Sequence, residues 1–594
     1  MIVFIKNIRA ILRQHWLILV LAMMLTMVIA WPVISFPFVA GEDYQGINIP
    51  HYGTDAHLYL SRAKEALEGK GLGNVPLREG KDTIDPFFMY TERFLTAPFT
   101  LLGVGDSINP VTLYNVYNSI GVFILLLLLY TFVWQLSGNR WLSMAAALSV
   151  VGSYSIVYNK SLFYTDFNVY GRPMFPYISS LVTFLYLNLL VWCLRLPNKQ
   201  RQWLAGFGFG ILFYTYFYAW SFILGLNVVL IGLYGIKKDW KVVKALAMIT
   251  GWGIVLGSYN LYHQFAYAAS TEGQALTYFH WLLHTHQPVF SKIGIVTLLL
   301  FLPFAYWRKK DPHLWFIAGL IISGWLALNQ QIITGKLLQY GHYYWYFIVP
   351  LSIIMSLYIL WSWVPVGKKQ TLFFIFLASL AFVNTAVGQY RSSLTVVQEK
   401  KYEQQYRPFI DRLNKEEQGV ILAADSHLES LFTIFTNHDL FWQAAGPLYG
   451  MPIDRMKETL FVYSYLNKNS RYYFSGFLRT RLDHQKEPSM YLDLYQNLEG
   501  YWSGLDYYDY YYRSVRREPF VLAHREKTMS RLEEEYTQLV RDEKNINDIL
   551  KKFGVNYLLW DRNRQPEWDL SFLGSEIHLL LDHNNISLYR IDYD

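Results

Sequence analysis

WLILVLAMMLTMVIAWPVISFPFVA, residues 16–40, holds no ionisable side chain. A helix needs about 20 apolar residues to cross a bilayer, so this stretch is long enough to span one. Lys6, Arg9 and Arg13 lie ahead of it, and no clean small-residue cleavage pattern ends it. It reads as a retained first membrane helix with its N-terminus inside, not as a secretory signal.

Ten more apolar runs follow, at about 111–135, 141–158, 176–195, 203–217, 218–236, 242–262, 292–307, 314–334, 344–364 and 371–389, which makes about eleven spans. With that count Arg140; Arg195, Lys199 and Arg201; Lys237, Lys238 and Lys241; Arg308, Lys309 and Lys310; and Lys368 with Lys369 all fall in links on one side. Positive links stay cytoplasmic, so five independent links agree on one orientation. The other face then receives the larger pieces, about 41–110, 159–175, 263–291 and 335–343, and everything after Arg391.

Composition supports this reading. Of 594 residues, 53% are hydrophobic, 18% aromatic and only 16% charged, too apolar for a soluble chain. The formal charge of +7 comes largely from the links between spans. There it sets topology and favours anionic lipid headgroups, and it does not read as a nucleic-acid footprint. The single cysteine, Cys193, lies in an apolar run, which excludes an intrachain disulfide and points to core packing.

Within the first outer segment, GTDAHLYLSRAKEALEGKGLG (53–73) carries Ala56, Tyr59, Leu60, Ala63 and Leu67 at helical spacing before Gly69 and Gly71. It is expected to be a short amphipathic helix on the membrane surface. RFLTAPFTLLGVG (93–105) is apolar but too short to span, and suggests a half-buried or re-entrant piece. After Arg391 hydropathy drops, and GVILAAD (419–425), GVNYLLW (554–560) and ISLYRID (586–592) read as strands, with a helical SHLESLFTIF after the first. Strand, polar turn and helix make an α/β pattern. The expected fold is therefore a polytopic α-helical membrane bundle over 1–390 and a C-terminal extracytoplasmic α/β domain over 391–594. The Tyr-rich tract GLDYYDYYYRSVRREP (504–519) suits either a loop packed on the membrane or a sugar-covering surface.

Three places could carry chemistry. Asp55 stands just beyond the first membrane helix, where it could take a proton from an acceptor hydroxyl; the competing reading is a helix N-cap at Thr54-Asp55, and Glu42 and Asp43 are nearby alternatives. In SLFYTDFNVYGRPMFPY (161–177), Asp166 and Arg172 are the only acid and base among aromatics and prolines. They either pair with each other, or Asp166 joins Asp55 on a divalent cation while the Arg172 fork binds phosphate. The third place, NQQIITGKLLQYGHYYWY (329–346), concentrates polar groups where leucines would be expected. Lys336 and His342 could neutralise a phosphate or diphosphate leaving group there, with Gln339 as a further phosphate-binding group and the aromatic residues as interface anchors. His263, His280, His284 and His286 with Glu272 invite a metal reading, but no HExxH core accompanies them.

A retained first helix, a large outer loop with Asp55, a second outer acid at Asp166, about eleven spans and a C-terminal outer domain together resemble the GT-C superfamily of membrane glycosyltransferases. The likeness covers the chain as architecture and only a few residues as motif. No paired-acid DxD occurs in the first outer loop, and YWSGLDYYDY (501–510) is only a loose echo of the WWDYG signature. The resemblance implies that Asp55 is the catalytic or metal-binding acid and that Asp166 assists it. It also implies a polyprenyl-phosphate or polyprenyl-diphosphate sugar donor, a glycan, lipid or protein acceptor, possible use of Mg or Mn, and action at the outer face of the plasma (inner) membrane. Two other readings stand beside it: a transporter or flippase of lipid-linked glycans, and a non-catalytic assembly or binding protein on a similar fold.

Overall fold

The computed structural model describes residues 2–49, 54–270, 273–274, 284–423, 429–484, 490–541 and 544–593. Its first two-thirds is a helical bundle built from α1 (Ile2–Ala40), α2 (Thr54–Leu67), α3 (Thr91–Leu101), α4 (Pro110–Ser137), α5 (Arg140–Gly152), α6 (Tyr154–Asn159), α7 (Tyr177–Arg195), α8 (Lys199–Phe213), α9 (Phe217–Ile236) and α10 (Trp240–Ala268). It continues with α11 (Lys292–Trp307), α12 (Leu314–Leu328), α13 (Tyr340–Trp363) and α14 (Lys368–Thr395).

All eleven expected runs are helical, but among the described residues only seven helices are long and apolar enough to cross a membrane: α1, α4, α7, α9, α10, α13 and α14. The others have 13 residues (α5), 15 (α8 and α12) and 16 (α11). At 1.5 Å per residue such helices reach roughly 20–24 Å, short of a ~30 Å hydrocarbon core. The reason is local. The run expected over 141–158 breaks at Ser153, and the run over 314–334 breaks at Asn329. The sequence signals for ends hold where the chain turns sharply: Asn109 caps α4 by accepting from the Val111 and Thr112 amides, and Gly138 ends it at φ 64°. That left-handed conformation favours glycine.

The described residues of the segments 41–109, 160–176, 214–216 and 329–339, and those after α14, gather at one end of the bundle. Asp55 meets Arg172, Tyr216 meets His342, Arg391 donates to the Phe163 carbonyl, and Ser61 is hydrogen bonded to Thr433 at 2.6 Å. The basic links turn at the opposite end, where Arg308 donates to the Ser362 carbonyl and Tyr358 to Asp311.

α2 forms as expected but does not lie on the membrane surface. Nearly all of it is buried, because the C-terminal helix Glu429–Phe435 covers the side that would face water. This traps charge. Arg62, 0% exposed, donates from Nε to Glu92 (2.5 Å, 0% exposed) and forks onto both oxygens of Asp85. Burial alone would lower the Arg62 pKa; the charges of Asp85 and Glu92 outweigh it and hold the guanidinium firmly protonated. Nearby, Lys81 bridges Glu65 (3.0 Å) and Asp439 (2.8 Å), tying the first loop to the C-terminal domain. The stretch 93–105 is mostly the helix α3, packed on α2, with Phe94, Leu101 and Leu102 left exposed.

The C-terminal domain holds a five-stranded sheet of β1 (Val420–Ala423), β2 (Asp439–Leu440), β3 (Val555–Asp561), β4 (Ile577–His583) and β5 (Ile586–Ile591), in the order β2-β1-β3-β5-β4. β1 runs parallel to β2 and β3, while β5 is antiparallel to β3 and β4. The expected strands are all present over their described residues; Ala424 to Leu428, which include the end of the first run, lie outside these. β1 reads as a continuous apolar run because both its faces are covered. Ile421 and Ala423 join the core shared with the bundle, and Val420 and Leu422 join a second core under a helical insertion between β2 and β3. The Tyr-rich tract belongs to that insertion as a helix, Tyr507–Val515, not a loop.

Lys400, buried where the last bundle helix passes into the domain, donates to the Ile49 carbonyl at 2.7 Å and lies over the Phe36 ring. Burial pushes its amine down to about 8, with Glu403 opposing the shift.

Two outcomes follow from these buried charges. Arg62→Met leaves Asp85 and Glu92 without their cation and should cost about 3–5 kcal/mol, read as a large fall in melting temperature of the purified protein in detergent. For Lys400, the folded state binds its proton less tightly than the unfolded chain does, so unfolding free energy should rise from about pH 8 to pH 10.5, by roughly 3 kcal/mol if this group acts alone. Lys400→Met should flatten that rise, and a pH profile identical to that of the unsubstituted protein would rule the assignment out.

Candidate functional site

Asp55 lies in the first turn of α2, one residue inside the helix. Its carboxylate accepts from Arg172 Nη1 at 2.5 Å, across a separation of 117 residues. A long-range contact therefore engages the group that sequence reasoning could also place as a local cap. The carboxylate is 55% exposed and the guanidinium 14%. Arg172 spends its other donors on holding its own loop and the bundle, with Nε to the Phe175 carbonyl (2.7 Å) and Nη2 to the Tyr346 hydroxyl (2.6 Å). Its main-chain carbonyl in turn accepts from Asn118 on α4 at 3.2 Å.

Tyr346 reaches Arg172 because α13 begins irregularly. A wide π turn occupies Tyr344–Ile348, just ahead of Pro350. Pro350 has no N–H for the carbonyl four residues earlier, which is that of Tyr346, and such a break in the hydrogen-bond ladder re-aims the side chains in it. One turn earlier on the same helix, His342 Nδ1 is hydrogen bonded to the Tyr216 hydroxyl. Its ring lies 5.5 Å from that of Tyr346 and 4.6 Å from that of Tyr218. Gln339 accepts from the Tyr218 hydroxyl at 3.3 Å.

Tyr59, one turn along α2 from Asp55, packs on Phe175 (5.4 Å), which stacks on Tyr216 (4.5 Å). Burial pushes the Tyr59 phenol far above its usual range, so it remains a neutral hydroxyl. Tyr59, Tyr216, Tyr218, Gln339 and His342 share the wall of a cleft, with Gln264 as a further polar group and Leu448 of the C-terminal domain also in its lining. Phe265 of α10, also in that wall, is mostly exposed, so the cleft opens sideways between helices. Aromatic walls with a few fixed polar groups suit an amphipathic ligand.

The structure thus joins Asp55, Arg172, Gln339 and His342. Asp166 has other partners: its carboxylate accepts from Asn159 at 3.4 Å and from the Phe167 amide, and burial raises its pKa despite those bonds. The Asp166–Arg172 pair is not the one that forms. Lys336 is exposed on the turn after Gly335, and its main chain bonds to Gln330 and Thr334. Among the loop histidines, His263 packs on Tyr259, His286 is bonded to the Ile332 carbonyl and His284 is exposed. His280 and Glu272 lie outside the described residues. Asp43 pairs with Lys401 at 2.8 Å, away from Asp55. Among the described residues no three His, Cys, Asp or Glu side chains form a metal-holding group. Cys193 is buried, as its apolar run implied.

Sequence reasoning missed Tyr59, Tyr216 and Tyr346 as parts of the site and Arg62 as a buried cation. A signal existed for two of them: Asp55, Tyr59 and Arg62 stand at i, i+4 and i+7, one face of α2.

The exposed Asp55 carboxylate and its more deeply set partner should respond unequally to substitution. Asp55→Asn is expected to change unfolding free energy by no more than about 1 kcal/mol, as for exposed ion pairs. Arg172→Ala, which strips donors from Tyr346 and the Phe175 carbonyl, should cost about 2–4 kcal/mol. Thermal melts of the two variants side by side check this, and equal shifts would contradict it. No family model matches this sequence, and no curated protein matches it.

Proposed function

We propose that this chain is a membrane glycosyltransferase that moves a sugar from a polyprenyl-phosphate or polyprenyl-diphosphate donor to a glycan, lipid or protein acceptor, as the resemblance to the GT-C superfamily implies. One observation carries it: a half-exposed carboxylate, Asp55, is oriented by a pinned arginine one helical turn from an aromatic cleft that opens sideways and holds His342 and Gln339. A polyprenyl chain stays in hydrocarbon while its phosphate-linked sugar presents at the boundary, and a lateral cleft suits such a donor. In this reading the shorter helices complete about eleven crossings together with the seven long ones. The N-terminus is then cytoplasmic, and the site and C-terminal domain are extracytoplasmic on the plasma membrane.

The acceptor hydroxyl gives its proton to Asp55 as its oxygen bonds the anomeric carbon. The bond from that carbon to the phosphate oxygen breaks, and the phosphate leaves with the electron pair. His342, Gln339 and Lys336 are the groups assigned to the leaving phosphate. Arg172 acts chiefly by positioning Asp55, since three of its donors are committed to protein partners. A Mg or Mn ion between Asp55 and Asp166 would find only those two carboxylates, one bonded to Arg172 and the other to Asn159. That donor set fits a divalent cation poorly, and no step is routed through one.

The test is transfer from a radiolabelled polyprenyl-phosphate sugar by the full chain in nanodiscs. Asp55→Asn should reduce turnover by at least about 100-fold while the melting temperature is nearly unchanged. Retained turnover in that variant removes Asp55 from the chemistry. Movement of the lipid-linked sugar across vesicles with no new glycosidic bond would replace transfer by transport.

A further inference from the structure

At the end of the bundle where the basic links turn, α1, α5 and α14 leave a groove between them. Its wall repeats apolar side chains one turn apart on each helix: Leu17 and Leu21, Met144 and Leu148, Phe374 and Ala378. The groove stops where α14 is pinned to its neighbours. A Cβ at Gly152 would stand 2.6 Å from the Ala381 carbonyl oxygen, Asn384 donates to the Gly152 carbonyl, and Gln389 donates to the Ile29 carbonyl. Met24 and Val383, also in the wall, are each about half exposed, so the groove opens sideways. Cations stand at its mouth. Arg140, the first residue of α5, places its guanidinium 4.8 Å from the ring centre of Trp141, which is itself in the wall. Lys368 and Lys369 open α14 less than two turns before Phe374, and Arg13 stands one turn before Leu17 on α1. His15 is hydrogen bonded to the Tyr130 hydroxyl at 2.5 Å and packs edge-on against Trp134, which brings the Arg13 turn of α1 close to the α4–α5 turn that carries Arg140. All four cations are exposed, and no acid occurs in 13–24, 137–148 or 366–383.

We infer that this groove seats one acyl chain of an anionic diacyl phospholipid, whose phosphate headgroup rests on Arg140 together with Arg13, Lys368 and Lys369. α1 and α14 are of membrane length, so an open hollow in their apolar flank is filled by hydrocarbon and not by water. The cations then choose among lipids. Near a membrane surface each Lys or Arg favours an anionic headgroup, and a guanidinium can hold a phosphate through two parallel hydrogen bonds. A second copy of the chain fits the groove less well, because a two-fold interface within one membrane would bring the same cations face to face. The site lies at the opposite end of the bundle from Asp55 and rests on none of the chemistry assigned there.

The probe is dioleoylphosphatidylglycerol titrated into the full chain in detergent, with the first bound lipid followed by native mass spectrometry. It is expected to bind about tenfold more tightly than dioleoylphosphatidylcholine, and excess glycerol phosphate should not displace it. Arg140→Gln combined with Lys368→Gln should bring phosphatidylglycerol down to the level of phosphatidylcholine. Ala378→Phe, which fills the groove, should weaken both lipids by about tenfold. Equal affinity of the two lipids overturns the inference, as does unchanged binding in either variant. Displacement by glycerol phosphate replaces the lipid with a free phosphate, and a dimer that excludes lipid replaces it with a second copy. If a variant fails to fold, the unsubstituted protein in nanodiscs is photolabelled with a phosphatidylglycerol that carries a diazirine on its acyl chain. Adducts within 17–24, 141–148 and 374–383 that the matching phosphatidylcholine does not give support the site; adducts confined to other segments, or equal labelling by both lipids, refute it.

Discussion

Arg172 is the joint on which the site depends. One planar side chain binds the first turn of α2, the hydroxyl of a membrane helix and the carbonyl of its own loop, so three segments distant in sequence share one set of fixed angles. A lysine could not substitute, since a single ammonium on a flexible stem cannot satisfy three partners in a plane. The arrangement also explains the unequal exposure of the pair. The guanidinium is set into the protein, where its hydrogen bonds offset lost hydration, and the carboxylate projects toward solvent, where it can be reached.

Around that joint the bundle solves a general difficulty. Irregular backbone near the hydrocarbon boundary has few waters to satisfy it, so each loop needs internal partners. Here carboxamides supply them. Asn384 accepts from the Phe163 amide and donates to the Gly152 carbonyl, Asn260 donates to the Phe88 and Phe213 carbonyls, and Gln404 accepts from the amides of Gln45 and Ile47. A carboxamide both donates and accepts without carrying charge, which avoids the larger penalty of a buried ion. The main chain at residues 45, 47, 88, 152, 163 and 213 is thereby tied to neighbouring segments by uncharged side chains.

How much of this was legible varies with the physics behind each feature. Apolar runs and basic links gave the helices and the end on which the loops gather, because hydropathy and charge act residue by residue. They did not give helix length, since a polar break such as Ser153 or Asn329 is invisible to an average over neighbours. α2 was found as a helix but misplaced, because its cover comes from residues 429–435, and nothing in 54–67 announces a partner so far along the chain. Arg62 was a warning in retrospect: a cation on an otherwise apolar face is costly unless acids meet it, and Asp85 and Glu92 do. For the site, the residue types at Asp55, Arg172, Gln339 and His342 stood out by being polar in apolar surroundings. The pairing of Arg172 with Asp55 instead of Asp166 is a matter of loop geometry that spacing does not encode.

The cover over α2 also sets an order of events during synthesis. Ser61 and Thr433 are separated by 372 residues, so at ~5–20 residues per second the ribosome needs about 20–75 seconds between making one and making the other. For that interval α2 lacks the cover that Glu429–Phe435 gives it. Closure over α2 is thus timed by the far end of the polypeptide.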